Sequence, residues 1–379
     1  MCAFGIDGQY KMSVTIDKFE DFLTDDKFIS FILIENIGLS LPYWELKFDC
    51  VYPELLRYLN ELQTITIQLG TSTKDLTPFN LIIKKPIVIP QSTQSYSVTL
   101  RGFTFMHSYL TTEHIQIYEN KSSKDLANII ANKYGLTFKS NIQNTNDIMT
   151  YYQPNVSDYK LLFTEWLHSY YDDNDLIIPT INIKNELTYN SIKQQIAEFD
   201  TETDLTFTDS TANADNEYQI DANQTGESNT TLSNYFGNYV KERDIFNVET
   251  GILTNVNVEN KTPIISESKT NSVDSSISRS SGFYIQSSNV HANYYKQELI
   301  NTQKYFNLQS MKQWTSVSDA LLLKYSAGDL ALYMAKQMNG QVNDQLSGLY
   351  LINKKVISIK NRKVHTNFLL TRENMNYSK

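Results

Sequence analysis

The chain has 379 residues, and its 33 Lys and Arg against 42 Asp and Glu give a formal net charge of −9 at pH 7. This length is enough for two or three domains, and the acidic balance argues against general binding to nucleic-acid phosphates. The two cysteines, Cys2 and Cys50, fit no metal-binding or redox spacing, so we expect no zinc site or disulfide framework and a reducing cytoplasm during folding.

The first residues lack the features of a targeting or membrane segment. Residues 1–12 contain no basic stretch followed by an apolar core, which argues against a secretory signal. The longest apolar run near the front, residues 28–34, is far shorter than the roughly 20 residues of a membrane-spanning helix. We therefore expect a soluble protein without a membrane segment.

Residues 10–115 are predicted to form strands almost throughout. Apolar and polar residues alternate in several short segments, as in Ile65–Leu69. Pro78, Pro86 and Pro90 are expected between strands, where a missing N–H does least harm. Several short strands at this spacing favour a barrel or a sandwich.

The period then changes to that of a helix. Ser122 followed by Asp125 is a helix-start signature, and Gly135 is expected to end that helix. Ser157 is expected to start a second helix with an apolar stripe made of Tyr159, Leu162, Phe163, Trp166, Leu167 and Tyr170. A hairpin follows over residues 176–189, so this part of the chain is predicted to be α+β.

From about residue 201 the chain becomes polar and aperiodic. Residues 208–234 and 266–281 are expected to be long loops, with possible strands at 218–220 and 252–258. Residues 290–307 have a composition compatible with a helix. Further strands are expected at 314–317, 321–325, 329–334, 349–359 and 364–370, with a hairpin turn at 360–363. No repeat of fixed period is visible in the sequence.

The sequence contains none of the motifs that mark common catalytic sites. It has no phosphate-binding glycine loop, no G-x-S-x-G nucleophile elbow and no H-E-x-x-H zinc motif. His168 is expected off the apolar stripe of its helix. The five scattered histidines are interpreted as surface or structural residues: His107, His114, His168, His291 and His365. We predict no catalytic, cofactor-binding or metal-binding residues, no cofactor and no enzymatic activity.

Three groups of charged residues leave alternatives open. The oxygens of Asp172, Asp173 and Asp175 could hold Ca²⁺, but without a glycine hinge or a bidentate Glu an acidic loop is favoured. Glu165 could belong to a glycosidase-like carboxylate pair, although its helix has an ordinary apolar face. A basic group in the last hairpin is either a solvated edge or a docking patch for an acidic partner: Lys354, Lys355, Lys360, Arg362 and Lys363.

The order of these segments resembles that of a known family. The resemblance is carried by Ile65–Gly70, Leu100–Phe103, Tyr118–Ala131, Tyr152–Tyr159, Asn185–Tyr189 and Gly348–Ile352. In this order they resemble the baseplate hub proteins of long-tailed, contractile bacteriophages and the related hub region of type VI secretion spike proteins. The resemblance extends over most of the chain, and residues 201–290 depart from it.

The resemblance implies a mainly β fold with an α+β module: two tube-type β-barrel domains, a small α+β domain and long polar loops. It places the first tube-type domain at residues 1–117 and the α+β module at residues 118–200. Part of the second tube-type domain, with polar insertions and a helix, would lie at residues 201–310. The rest of that domain would lie at residues 311–379.

The resemblance also implies a structural role in the virion, at the tail baseplate, after assembly in the host cytoplasm. Three copies would pair through exposed strand edges into a ring that joins the sixfold tail tube to the threefold spike. The implied partners are further copies of the chain, the tail spike protein, the tail tube protein and the tape measure protein. DNA would pass through the lumen without specific binding.

Two other functions stay open at this point. A distal tail or tube protein would share the barrel but lack the helical module at residues 118–200. A virion-borne protein that binds or cleaves glycans would need exposed aromatic residues in a groove with two facing carboxylates. Trp166 is instead expected in the core face of its helix and Trp44 on one face of an alternating strand.

Overall fold

The computed structural model describes residues 3–17, 19–92, 95–104, 107–212, 214–227, 242–258, 263–266, 280–336 and 341–374. Over these residues the protein is mostly β with a few helices, which confirms the predicted fold class. Its elements fall into three successive stretches of the chain. The first and last stretches contribute to one sheet, which has fourteen strands in the described residues.

The first stretch is all β apart from a 3₁₀ turn at Leu55–Tyr58. Its strands are β1 (Phe4–Ile6), β2 (Tyr10–Thr15), β3 (Phe28–Asn36), β4 (Tyr43–Cys50), β5 (Thr64–Gly70), β6 (Thr77–Pro90) and β7 (Tyr96–Thr104). They lie in the order β1-β2-β5-β6-β7-β4-β3, with all neighbours antiparallel. Their inward residues belong to a single core cluster, which Ile357, Ile359 and Val364 from the end of the chain complete.

The expectation that three prolines lie between strands is wrong. Pro78, Pro86 and Pro90 lie inside this one long strand rather than between strands. Residues 77–82 of β6 pair with β5, and residues 81–90 of β6 pair with β7. Each proline therefore lies where the strand has a single partner, and its missing N–H can face the other side.

The middle stretch contains four helices and five strands among its described residues. They are α1 (His107–Thr111), β8 (Glu113–Lys121), α2 (Ser123–Lys133), β9 (Thr137–Lys139), β10 (Met149–Ser157), α3 (Asp158–Glu165), β11 (Ile177–Ile181), β12 (Glu186–Ser191) and α4 (Ile192–Glu198). The Ser122 hydroxyl accepts the N–H of Asp125, whose carboxylate accepts the N–H of Ser122. Gly135 follows α2 at φ +68°. Both predicted signals of this helix are confirmed.

The second predicted helix is shorter than its apolar stripe suggested. α3 begins after Ser157 as predicted, but it ends at Glu165 and continues as a 3₁₀ turn over Trp166–His168. The tighter turn rotates the following side chains relative to an α-helix. His168, which was expected off the apolar stripe, is therefore buried and hydrogen-bonded, as the structural interpretation had it. Phe163 of the predicted stripe precedes this turn and is 47% exposed.

The last stretch returns to the large sheet. Its elements are β13 (Thr206–Thr208), β14 (Glu217–Gln219), β15 (Ala222–Glu227), β16 (Glu242–Asn247), β17 (Leu253–Asn257), β18 (Ser280–Gln286), α5 (Tyr294–Asn307), β19 (Met311–Ser318), β20 (Leu330–Met334), β21 (Gly348–Lys360) and β22 (Lys363–Arg372). The segment 321–325 was predicted as a strand but connects β19 to β20. Its residues Leu322 and Tyr325 cover the second β core instead.

The polar insertion in this stretch has its own small sheet. β17, β16 and β18 lie side by side in that order, and Val258 packs with Leu299 and Ile300 of α5. β14 and β17 confirm the strands considered at 218–220 and 252–258, whereas β15 lies where a loop was expected. Residues 228–234 and 267–279, which were also expected to be loops, lie outside the described residues. No helix of the described part is long and apolar enough to cross a membrane.

The last stretch repeats the topology of the first. The strand order β5-β6-β7-β4-β3 reappears as β20-β21-β22-β19-β15, again with all neighbours antiparallel. In both sets the long hairpin strand carries a bulge, between Ile83 and Lys85 in β6 and between Ile352 and Lys354 in β21. The flanking strands differ, because β2 is antiparallel to β5 whereas β13 is parallel to β20. The two stretches share the order and pairing of their strands, and this likeness leaves no periodic signature in the sequence.

Candidate assembly joint

The two topological repeats meet where β21 passes beyond its bulge. Before the bulge, residues 348–351 of β21 pair with β20. After it, residues 354–360 pair antiparallel with residues 30–36 of β3. β22 stays paired with β21 along both parts. One strand therefore joins the repeats through its backbone, and this contact is the joint between them.

A buried ion pair lies inside this joint. Lys355 Nζ is 2.8 Å from Glu35 Oε2, and the two side chains are 1% and 0% exposed. Lys355 also donates to the main-chain carbonyl of Tyr325, and Glu35 Oε1 accepts the N–H of Ile183 at 2.7 Å. Two side chains thus connect the first repeat, the second repeat and the middle stretch.

Asp329 adds a titratable group to this region. Burial raises the pKa of Asp329 to about 6, and the negative charge of Glu35 acts in the same direction. The Ser326 N–H, which donates to the Asp329 carboxylate at 2.8 Å, and the Lys355 cation oppose this shift. Buried charges are costly unless each has partners. Lys355 and Glu35 are thus buried partners inside the joint, and the half-buried Asp329 carboxylate lies close enough for both charges to affect its pKa.

The basic residues of the last hairpin are divided between this joint and the surface. Lys355 points into the joint, whereas Lys360 and Lys363 are exposed. Arg362 pairs with Asp25 at 2.7 Å. Asn361 and Arg362 adopt φ +52° and +61°, as a two-residue hairpin turn of type I′ requires. The hairpin turn is where the sequence predicted it, but its basic residues do not act as one patch.

The acidic loop at residues 172–175 is occupied by a side chain of the protein itself. Lys304 Nζ of α5 donates to the main-chain carbonyls of Asp173 and Asp175 at 2.6 and 2.9 Å. Burial lowers the pKa of Lys304 to about 8. The Asp175 carboxylate accepts the N–H of Lys193 at the start of α4. An ammonium group lies where a cation was considered, and the described residues contain no cluster of three metal-ligating side chains.

Two of the histidines and Glu165 form the contact between the α3 region and α5. The rings of His168 and Tyr294 stack with their centroids 3.6 Å apart. Burial lowers the pKa of His168 to about 4 and raises the pKa of Glu165 to about 7. The Tyr294 hydroxyl donates to Glu165 at 3.0 Å, and His291 Nε2 lies 3.1 Å from the His168 carbonyl oxygen. These groups are packed into an interior contact of the chain.

The other histidines lie apart from that contact. His114 Nε2 is 3.7 Å from the carboxylate of the buried Asp158, which Lys133 approaches to 2.7 Å. His365 Nδ1 is 2.9 Å from the Ser318 hydroxyl. His168 and His291 therefore share one contact, whereas His114, His365 and His107, whose Nδ1 is 3.4 Å from the Thr111 hydroxyl, each lie elsewhere.

The large sheet also has open edges. Residues 85–90 of β6, beyond its bulge, pair with β7 alone, and β15 pairs with β19 alone in the part of the chain that is described. Val88 and Ile89 on the β6 segment are 39% and 57% exposed. An exposed strand edge can pair with another chain. Sequence patterning did not reveal these edges, because β15 is polar and β6 is interrupted by prolines.

Similar solved structures identify this fold. No family model and no curated protein sequence matches the chain. The tail protein from Neisseria meningitidis MC58 matches with a TM-score of 0.58 and 9% identity, over 96% of each chain. The 43 kDa tail protein of prophage MuSo2 from Shewanella oneidensis matches with a TM-score of 0.58 and 11% identity, over 97% of this chain and 100% of that one.

A third match comes from a secretion system. A component of the E. coli type VI secretion system, which exhibits structural similarity to the T4 bacteriophage tail proteins gp27 and gp5, matches with a TM-score of 0.51. Its identity is 10%, and the match covers 97% of this chain and 77% of that one. At such identities the likeness concerns the fold. The chain has the fold of these tail and secretion proteins over nearly its whole length, as the sequence resemblance predicted.

Proposed function

We propose that this chain is a baseplate hub protein, three copies of which form a ring that joins a sixfold tail tube to a threefold spike. The observation that carries the proposal is the repeated strand order β5-β6-β7-β4-β3 and β20-β21-β22-β19-β15 in one sheet. Three copies of a chain with two similar repeats present six similar units around a ring. Such a ring can match sixfold symmetry on one side and threefold symmetry on the other.

The proposal assigns a role to each part of the chain. Residues 1–117 would be the first tube-type domain, residues 118–200 a module outside the ring, and residues 201–310 with 311–379 the second tube-type domain. Two β core clusters support this division: one is formed mainly by residues of β1–β7, with Ile357, Ile359 and Val364 of β21 and β22 packed into it, and the other lies within residues 205–370. A third cluster that includes α2, α3, β11 and β12 supports a distinct middle module.

The proposed role is structural and needs no catalysis. The partners would be further copies of the chain, the tail spike protein, the tail tube protein and the tape measure protein, in the virion baseplate after assembly in the host cytoplasm. DNA would pass through the lumen, and the net charge of −9 would limit adhesion of its phosphates. Another tail component with a tube-type barrel is the alternative, and the helical middle module favours the hub.

The test is to determine the mass and the negative-stain electron microscopy image of the purified chain at micromolar concentration. The expected result is a threefold ring with an open pore and a mass of 131.1 kDa, three times the 43.7 kDa of one chain. If the chain alone is monomeric, co-expression with the spike and tube proteins of its own tail should produce the ring. A monomer under all these conditions contradicts the hub.

A further inference from the structure

The two repeats can be aligned residue by residue through the registers of their strands. In each repeat, the residue just before the bulge has a register partner on the next strand, which has a partner on the strand after it. Followed in this way, the partners form one row of four residues across four strands. The first row is Ile83, Gly102, Trp44 and Leu33, and the second row is Ile352, Leu370, Gln313 and Thr225. Because the rows run across corresponding strands, Leu33 of β3 corresponds to Thr225 of β15.

The same alignment relates the two hairpin strands beyond their bulges. Ile357 lies five residues after Ile352 in β21, and Val88 lies five residues after Ile83 in β6. Ile357 is the register partner of Leu33 in the joint within the chain. Val88 has its β7 partner and no second strand partner among the described residues. The β6 segment is therefore the unpaired counterpart of the β21 segment that forms the joint.

We propose that the β6 edge of one copy pairs antiparallel with β15 of the next copy, with Val88 opposite Thr225. This inference rests on the proposed function and specifies the contact that closes the ring. The joint within the chain provides the template, because corresponding segments occupy its two sides. Each copy contributes one β6 edge and one β15 edge, so the contact is heterologous and can close into a ring.

The prolines of β6 limit the number of backbone hydrogen bonds that this contact between copies can form. A proline fits the ladder with β7 only where its nitrogen points away from that strand, so the backbone groups of Pro86, Val88 and Pro90 face the open edge. This edge offers three carbonyls but a single N–H, that of Val88. β15 contains no proline and can donate to those carbonyls. The joint between copies therefore has fewer hydrogen bonds than the joint within the chain.

Disulfide trapping tests the contact in the full chain. The background variant carries Cys2→Ser and Cys50→Ser, whose hydroxyl at position 50 can keep the hydrogen bond that the thiol donates to the Tyr52 carbonyl. Val88→Cys and Thr225→Cys are then introduced together. Directly opposed residues of antiparallel strands have Cα atoms within disulfide range. We expect oxidation to yield covalently linked trimers near 131.1 kDa that dissociate under reducing conditions.

The matched control combines Val88→Cys with Gln224→Cys. A shift of one residue places the second cysteine on the opposite face of the sheet, so this pair should link far more slowly. Fast linking of the first pair alone supports the contact. If a ring forms but the first pair does not link, or links no faster than the control, the contact is wrong and the hub proposal stands. If no ring forms under any condition of the hub experiment, both are wrong.

Discussion

Pro86 occupies in the first repeat the position that Lys355 occupies in the second, because each is the second residue after the bulge of its strand. Lys355 supplies a backbone N–H and the ammonium group of the buried ion pair with Glu35. Pro86 supplies neither. The same place in the fold is thus a closed joint in one repeat and a weakened open edge in the other.

The first prediction concerns the buried ion pair. Lys355→Met should lower the free energy of unfolding by roughly 3–5 kcal/mol, because the Glu35 carboxylate would stay buried without its cation. Urea denaturation at pH 7 measures this loss. The double variant Lys355→Met with Glu35→Gln should recover most of it, since the amide oxygen can still accept the Ile183 N–H. Losses that simply add in the double variant contradict the pair.

The second prediction concerns the open edge of β6. Pro86→Val and Pro90→Ile each restore an N–H donor, and each new hydrogen bond is worth about 0.5–1.5 kcal/mol at every joint between copies. We expect the trimer to persist at lower protein concentration in mass photometry. Pro78→Val is the matched control, since Pro78 lies in the part of β6 that pairs with β5. An unchanged trimer fraction in both edge variants would argue against this edge as the contact.

The third prediction concerns the pH dependence of Glu165. Its folded-state pKa of about 7 lies above its ordinary value of 4.5, so the folded chain retains a proton that the unfolded chain releases. This group therefore lowers stability as pH rises from 4.5 to 7. Glu165→Gln should be more stable than the natural chain by roughly 3 kcal/mol above pH 7 and similar to it below pH 4.5. Urea denaturation between pH 4.5 and 8 checks the difference, and a difference independent of pH would contradict it.

The fourth prediction concerns His168, which should act in the opposite direction. Its folded-state pKa of about 4 lies below its ordinary value of 6.5, so acidification makes the unfolded chain bind a proton that the folded chain excludes. Stability is lost as pH falls from 6.5 to 4. His168→Gln removes this dependence of the free energy of unfolding on pH. Its stability relative to the natural chain should therefore increase as pH falls from 6.5 to 4. Parallel pH profiles of the two proteins would refute this assignment.

The fifth prediction concerns cations at the acidic loop. Because Lys304 already donates to the carbonyls of Asp173 and Asp175, neither Ca²⁺ nor EDTA should shift the melting temperature. Lys304→Met should be destabilised by about 1–3 kcal/mol, since the buried carbonyls lose their donor. A calcium-dependent rise in the melting temperature of the natural chain would restore the metal hypothesis.

Local elements were determined by the sequence because their causes lie within a few residues. The cap at Ser122 needs only Asp125, and the last hairpin turn needs residues such as Asn361 that tolerate positive φ. β15 was missed, because its polar sequence lacks the alternation that marks a half-buried strand. The end of α3 was misplaced, because a tight last turn depends on packing against α5.

The mainly β class, the capped helices and the resemblance to baseplate hubs came from the sequence by itself. The tertiary structure decided the rest: the repeat of strand order, the joint between β21 and β3, and the partners of the charged residues. The physical reason is that Lys355 and Glu35 become neighbours only through the register of strands from opposite ends of the chain. Such a register is set by the bulges and the two β cores together, and no local pattern encodes it.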